Sequence, residues 1–331
     1  MRTFSPRRPR PRPAAFTLIE LLVTVVILLF VLVALLQFMG NVEQVWKSTA
    51  VDPFGEAEDA FETIANRLAN ATLEPYQDYA DSSGAFRTGP GSFVPDHLAR
   101  RSDLAFVCGN NWLGQSGRIT TGDSLFFVAP QGYTQTEAHQ GLERLLNALG
   151  YFVEFSDESA APAFMLSGTH RWRWRLKEIV PPSEALQIYT LGTSSAWVQA
   201  AVSPGSPVSI LAENVAALVV LPERAANDNG AALAPAYSYD SRATGNPLTL
   251  HQLPPRVRLA LVAIDEASAQ ILAGQNGAQP PALVPGNLFT AAASMDADLA
   301  SLDTALTSRK IKHRILEREI LLPASAWTNL P

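Results

Sequence analysis

The chain has 331 residues, 25 Lys or Arg against 31 Asp or Glu, and a hydrophobic fraction of 47%. That length allows one large domain or two ordinary ones of about 100–200 residues each, and the composition suits a chain that folds around a core. The single cysteine, Cys108, excludes an internal disulfide, and one cysteine with five scattered histidines leaves little material for a structural zinc site.

The charge is unevenly placed. Residues 1–15 carry Arg2, Arg7, Arg8, Arg10 and Arg12 and no acid. The remainder sets 20 basic residues against 31 acidic ones, a net charge near −11. Nucleic acid is therefore not an expected partner, because neutralising phosphates takes clustered Lys and Arg. The basic leader reads as a topological signal instead.

Residues 16–36 follow as FTLIELLVTVVILLFVLVALL, 21 residues with one charge, Glu20. As a helix rising about 1.5 Å per residue, the run spans about 31 Å, the thickness of a bilayer's hydrocarbon core. With arginines before it and none nearby after it, the positive-inside rule keeps residues 1–15 in the cytoplasm and puts the chain beyond about residue 40 outside. A cleaved secretory signal has a shorter apolar core, about 7–15 residues, followed by small residues. Here Ala14-Ala15 precede the run. A plain anchor explains the length and the arginines but not a carboxylate five residues into the span. Such a group costs about 2–3 kcal/mol or more at bilayer depth, although this near the membrane edge it can also snorkel.

Ala15-Phe16-Thr17-Leu18-Ile19-Glu20 resembles the processing site of type IV pilins and of the pseudopilins of type II secretion. The resemblance implies that a prepilin peptidase cuts the Ala15–Phe16 bond and that Phe16 is then N-methylated. It also implies that Glu20 pairs with the N-terminal ammonium of a neighbouring subunit, in keeping with the rule that a charge in low dielectric needs a partner. The family's usual glycine before the cut is replaced here by Ala15.

Asp52-Pro53 marks a break in the long N-terminal helix expected over 16–75. Beyond it Ala57, Phe61, Ile64, Leu68 and Ala71 recur at helical spacing, with Glu56, Glu58, Asp59, Glu62, Asn66 and Arg67 elsewhere. This predicts an amphipathic helix ending near Glu74-Pro75 and packed on a head formed by residues 76–331. From residue 76 the pattern changes to short β-rich runs, predicting strands at 104–108, 124–129, 151–155, 170–179, 216–222, 256–264 and 311–322. In the run at 170–179, Trp172, Trp174 and Leu176 fall on one face, and Arg171, Arg173 and Arg175 form an expected solvated row on the other. Short helices are predicted at Glu137–Leu149 and Asp296–Ser308, and loop over 223–254. The fold class is α+β, a long N-terminal helix on an antiparallel sheet.

A second resemblance lies in the head. LAENVAALVVLPE (211–223) followed by LPPRVRLALVAID (253–265) looks like the head of J-type minor pseudopilins. Together with RWRWRLKEIVPPSEALQIY (171–189) and HRILEREILLP (313–323), it resembles the Verru_Chthon cassette protein C family of pilin-like proteins.

Little else points to chemistry. Asp296 and Asp298 lack the following Gly and Glu of a calcium loop and suit a helix N-terminus. His97, His139, His170, His251 and His313 form no HExxH or i,i+4 pair, and no P-loop, G-x-S-x-G or G-x-G-x-x-G is present. Cys108 reads as a small buried hydrophobe.

The expectation is a non-enzymatic minor pilin-like subunit with no metal or cofactor. Its expected partners are prepilin peptidase, other pilin or pseudopilin subunits, inner-membrane assembly machinery and membrane lipid. It is expected to be single-pass in the inner membrane with an extracytoplasmic head. The competing reading is a membrane-tethered enzyme or binding module that borrows this anchor.

Overall fold

Phe61, Ile64 and Leu68, spaced by three and four residues, are all buried on one side of a helix, α1 (Gly55–Leu68). In the computed structural model the described residues are 22–23, 25–29, 31–32, 52–87, 89, 91–110, 112–113, 117–157, 171–203, 206–225 and 231–328. They fall into two compact units divided between Asp52 and Pro53. Among the described residues no helix is long and apolar enough to cross a membrane. The expected span at 16–36 lies largely outside them.

Helix α1 stops at Leu68, short of the expected end near Glu74-Pro75. The chain leaves the helix to use its backbone elsewhere: the Thr72 N–H donates to the Val128 carbonyl at 2.9 Å. Ala71 and Leu73 stay buried outside the helix, and Glu74, before Pro75, takes a left-handed φ of 44°. Ala71 therefore keeps its predicted core position without being helical.

The head is mixed α+β with antiparallel sheets. Its strands are β1 (Tyr76–Ala80), β2 (His97–Arg101), β3 (Val107–Gly109), β4 (Thr120–Pro130), β5 (Leu146–Ser156), β6 (Arg173–Ile179), β7 (Val208–Glu213), β8 (Val215–Glu223), β9 (Tyr239–Asp240), β10 (Arg256–Ile264) and β11 (His313–Leu321). Helices α2 (Ser194–Ala201), α3 (Glu266–Asn276) and α4 (Met295–Ser308) complete it. Six strands form one sheet in the order β7-β6-β5-β4-β3-β9, three form a second in the order β11-β10-β8, and β1-β2 is a hairpin apart.

Residues 215–222 of β8 and 259–264 of β10 are all apolar because both faces of the strands are covered there. Leu218, Val220, Leu259 and Leu261 enter the main core with α1 and the six-stranded sheet. Val219, Leu221 and Ala260 turn the other way to meet Met295 and Leu299 of α4. The alternation follows from the two-residue period of a strand.

The two sheets meet at a bulge in β4. Residues 122–124 oppose the single residue 152 between the pairs Thr121↔Val153 and Leu125↔Tyr151. Gly122 takes φ +67°, and a Cβ there would lie 2.5 Å from the Leu218 carbonyl oxygen, so the site needs glycine. The bulge aims Asp123 at β8, where its Oδ2 accepts the Val220 N–H at 2.9 Å.

Predicted strands at 124–129, 151–155, 216–222, 256–264 and 311–322 all lie within or over observed strands. The predicted helix Glu137–Leu149 is corrected to a short 3-10 turn, Glu137–His139, followed by β5. Its leucines have helical spacing, but Leu149 pairs with Phe127 across the β4–β5 ladder and Leu142 is exposed. Tertiary pairing outweighs the local pattern here.

Candidate functional site

Ala15, Phe16 and Glu20, the expected processing, methylation and assembly residues, lie outside the described residues. Downstream, the nine described positions between 22 and 32 are helical. Leu22, Val23, Val25, Val26, Ile27, Leu28, Leu29, Val31 and Leu32 all expose their side chains. An apolar helix surface of this kind has nothing to offer water and is suited to lipid or to the apolar face of another helix.

Within the head, α1 is fastened by charge as well as by its buried stripe. Arg314 and Arg318, two steps of β11 apart on one face, pair with Glu58 and Glu62, one helical turn apart. Arg318 Nη1 donates to Glu62 Oε2 at 2.7 Å. The same guanidiniums stack over Phe54 and Phe61, at 4.8 and 5.7 Å from the ring centroids. At the far end Arg67 pairs with Glu178 of β6 and donates to the Tyr151 hydroxyl at 3.2 Å. At the near end, Glu56 Oε1 accepts the Glu213 N–H at 3.3 Å. Burial pushes the Glu56 carboxyl up, with Glu213 and Glu266 adding to the push and the Glu213 N–H opposing it. Helix α1 is thus held along its length by β6, β7 and β11.

The expected solvated row of arginines on β6 is overturned. Only Arg171 is substantially exposed; Arg173 is 5% and Arg175 0% exposed. Both faces of β6 are covered, so the arginines need partners and find them on later elements. Arg175 Nε donates to Glu213 Oε1 at 3.0 Å, and its Nη atoms go to the carbonyls of Ser156 and Arg171. Arg173 Nη2 donates to Glu266 Oε1 at 3.2 Å, and Arg171 reaches Glu213 Oε2 at 3.2 Å. Asn214 donates to Glu266 Oε2 at 2.7 Å. Burial pushes the Glu266 carboxyl up, but Asn214, Gln270 and Arg173 outweigh it and leave it below its ordinary range. The sequence showed three arginines but not that Glu213 and Glu266 would be brought to them.

Trp172, Trp174 and Phe155 pack together as expected of the other face, with centroids 5.5 and 5.2 Å from Phe155. That aromatic cluster belongs to the core. Cys108 is fully buried, and burial and the nearby Asp123 push its thiol far above the ordinary range. Asp296 and Asp298 sit in the first turn of α4, as expected. Asp298 accepts from Ser294 Oγ and the Phe289 N–H, and Asp296 pairs with Arg258. Among the described residues no group of three or more His, Cys, Asp or Glu is placed to hold a metal ion.

Residues 10–36 match a family described as the prokaryotic N-terminal methylation motif. The match supports a type IV pilin-like or pseudopilin-type N-terminus, and a motif of that type implies processing by prepilin peptidase and assembly with other pilin subunits. No curated protein matches the chain.

Proposed function

We propose, taking that methylation motif as the premise, that the protein is a minor subunit of a type IV pilus or type II secretion-like filament. It acts by assembly and not by catalysis. The match over residues 10–36 carries the reading. Prepilin peptidase removes residues 1–15, Phe16 becomes the methylated N-terminus, and the apolar helix waits in the inner membrane. The carboxylate of Glu20 then draws it against the terminal ammonium of a neighbour, because an ion in lipid gains most from a partner. The fastening of α1 to β6, β7 and β11 supports this role: a pull on the N-terminal segment reaches the head through a helix that cannot swing freely. The size of the head and the break at Asp52-Pro53 favour a minor, tip or priming position over a bulk pilin.

The test is mass spectrometry of the protein made with a prepilin peptidase. The expected mature chain begins at an N-methylated Phe16. An intact leader under those conditions returns the chain to the class of membrane-tethered modules.

A further inference from the structure

β8 is the outer strand of its sheet and is hydrogen-bonded to β10 on one side. Its other side faces the β4 bulge, which stands where a further strand would. Gly122 comes so close that a Cβ there would lie 2.5 Å from the Leu218 carbonyl oxygen and 3.0 Å from its nitrogen. One residue on, Asp123 accepts the Val220 N–H at 2.9 Å. Ser124 Oγ then donates to the Gly109 carbonyl at 2.8 Å and ties the bulge back to β3. The bulge thus closes the edge of the second sheet, and a side-chain carboxyl supplies the acceptor that a neighbouring strand's carbonyl would otherwise give.

That acceptor is the weak point of the seam. Asp123 is 4% exposed, and among the described residues no cation pairs with it. A carboxyl so placed is best tolerated neutral, because an ion removed from water with one N–H as partner keeps most of its desolvation cost. Burial accordingly raises it to about 7, opposed only by the Val220 N–H. The titratable groups near it bring no countercharge. Burial holds Cys108 of β3 and Tyr237 neutral, and Asp296, Asp298 and Arg258 act on Tyr237. Solvent is close by: Asp123 shares a shallow pocket with Asn110, Leu113, Thr120 and Phe152, and Asn110 is exposed.

We propose that this seam is a pH-sensitive latch between the two sheets. With Asp123 protonated the bulge stays shut on β8. When the proton passes to water, the bulge parts from β8 and solvent reaches the carboxylate, while both sheets keep their ladders. The β8–β10 hydrogen bonds run on the opposite side of β8 and do not involve the bulge. Once opened, the carboxyl titrates near its ordinary value. Opening therefore becomes easier as pH rises from about 4 through about 7 and levels off above that.

Amide hydrogen exchange of the full chain in detergent, read by mass spectrometry and corrected for the intrinsic effect of pH, tests the latch. Between pH 5 and pH 8, opening of the β8 peptide that contains Val220 is expected to rise by about tenfold or more, to a ceiling of about a hundredfold. Peptides from β10 and β11 are expected to stay level. In Asp123→Asn, whose amide oxygen still accepts the Val220 N–H and which does not titrate, the β8 peptide is expected to stay level too. A rise of equal size in β8, β10 and β11 means that the head unfolds as a whole and overturns the proposal. So does a β8 peptide that shows no rise, or one that rises equally in Asp123→Asn. Should that variant fail to fold, the wild-type comparison of β8 with β10 and β11 decides.

Discussion

Arg175 and Glu213 face each other in register across β6 and β7, and the arginine of the pair has no exposed surface. A guanidinium in that position is tolerated only because a carboxylate and the carbonyls of Ser156 and Arg171 surround it. Breaking such a pair from one side costs more than the pair itself contributes, because the surviving ion keeps its desolvation penalty.

Arg175→Met is therefore expected to lower the unfolding free energy by about 3–5 kcal/mol, read from urea denaturation. Adding Glu213→Met removes the carboxylate that has lost Arg175, although it still meets Arg171, and is expected to restore part of the loss. Arg175→Lys does not substitute, because an ammonium cannot reproduce the fork of donors. If Glu213→Met has the same effect on stability with Arg175 present as in the Arg175→Met background, the two residues are not coupled.

Asp123 gives the head a pH dependence of defined sign. Burial raises its carboxyl from 3.8 to about 7, against the opposing hydrogen bond from Val220. A folded-state pKa above the unfolded one favours folding fully below about pH 4, and that contribution is lost as pH rises through about 7. Relative to Asp123→Asn, the wild type should lose up to about 4 kcal/mol between pH 4 and pH 8. The asparagine keeps an oxygen for the Val220 N–H and does not titrate. Parallel stability curves for the two proteins across that range would contradict the assignment.

Ile64 has no exposed surface and sits in the middle of the stripe that joins α1 to the main core. Truncation to alanine is expected to cost about 2–5 kcal/mol in thermal or urea unfolding. A cost under about 0.5 kcal/mol would mean that α1 docks through its ion pairs alone.

Glu20→Ala is expected to leave membrane insertion intact, since the change makes the segment more apolar, while reducing recovery of the protein with other pilin subunits. Membrane fractionation reads the first and co-purification the second. Undiminished co-purification would assign Glu20 to tolerance at the membrane edge.

Much of the head was legible because its strands announce themselves by period. The strand predicted at 256–264 coincides with β10, and Ala57, Phe61, Ile64 and Leu68 are buried as their spacing requires. Short or late-paired strands were not legible. The sequences of β1, β2 and β9 carry no long alternation, and each is a strand only by virtue of its partner. Helices α2 and α3 escaped for a related reason: both are short, and their caps, Thr193 and Asp265, resemble ordinary loop residues until the chain folds. The arginine row failed differently. Alternation fixed which residues share a face of β6 but not what covers that face, and Glu213 and Glu266 lie far along the chain from Arg175 and Arg173. The N-terminal motif, by contrast, is carried entirely by local spacing.

Among the described residues β11 pairs only with β10, so its other edge is open. An open edge is a template on which a second molecule can continue the sheet. Glu317, Arg318 and Glu319 lie exposed along it. If two copies paired antiparallel about Arg318, that residue would face itself and Glu317 would face Glu319, like charge on like charge. Side-by-side growth of one sheet from many heads is thereby penalised at its first step. Crowded together, the heads stay individually folded, and lateral order among them has to come from somewhere other than this strand.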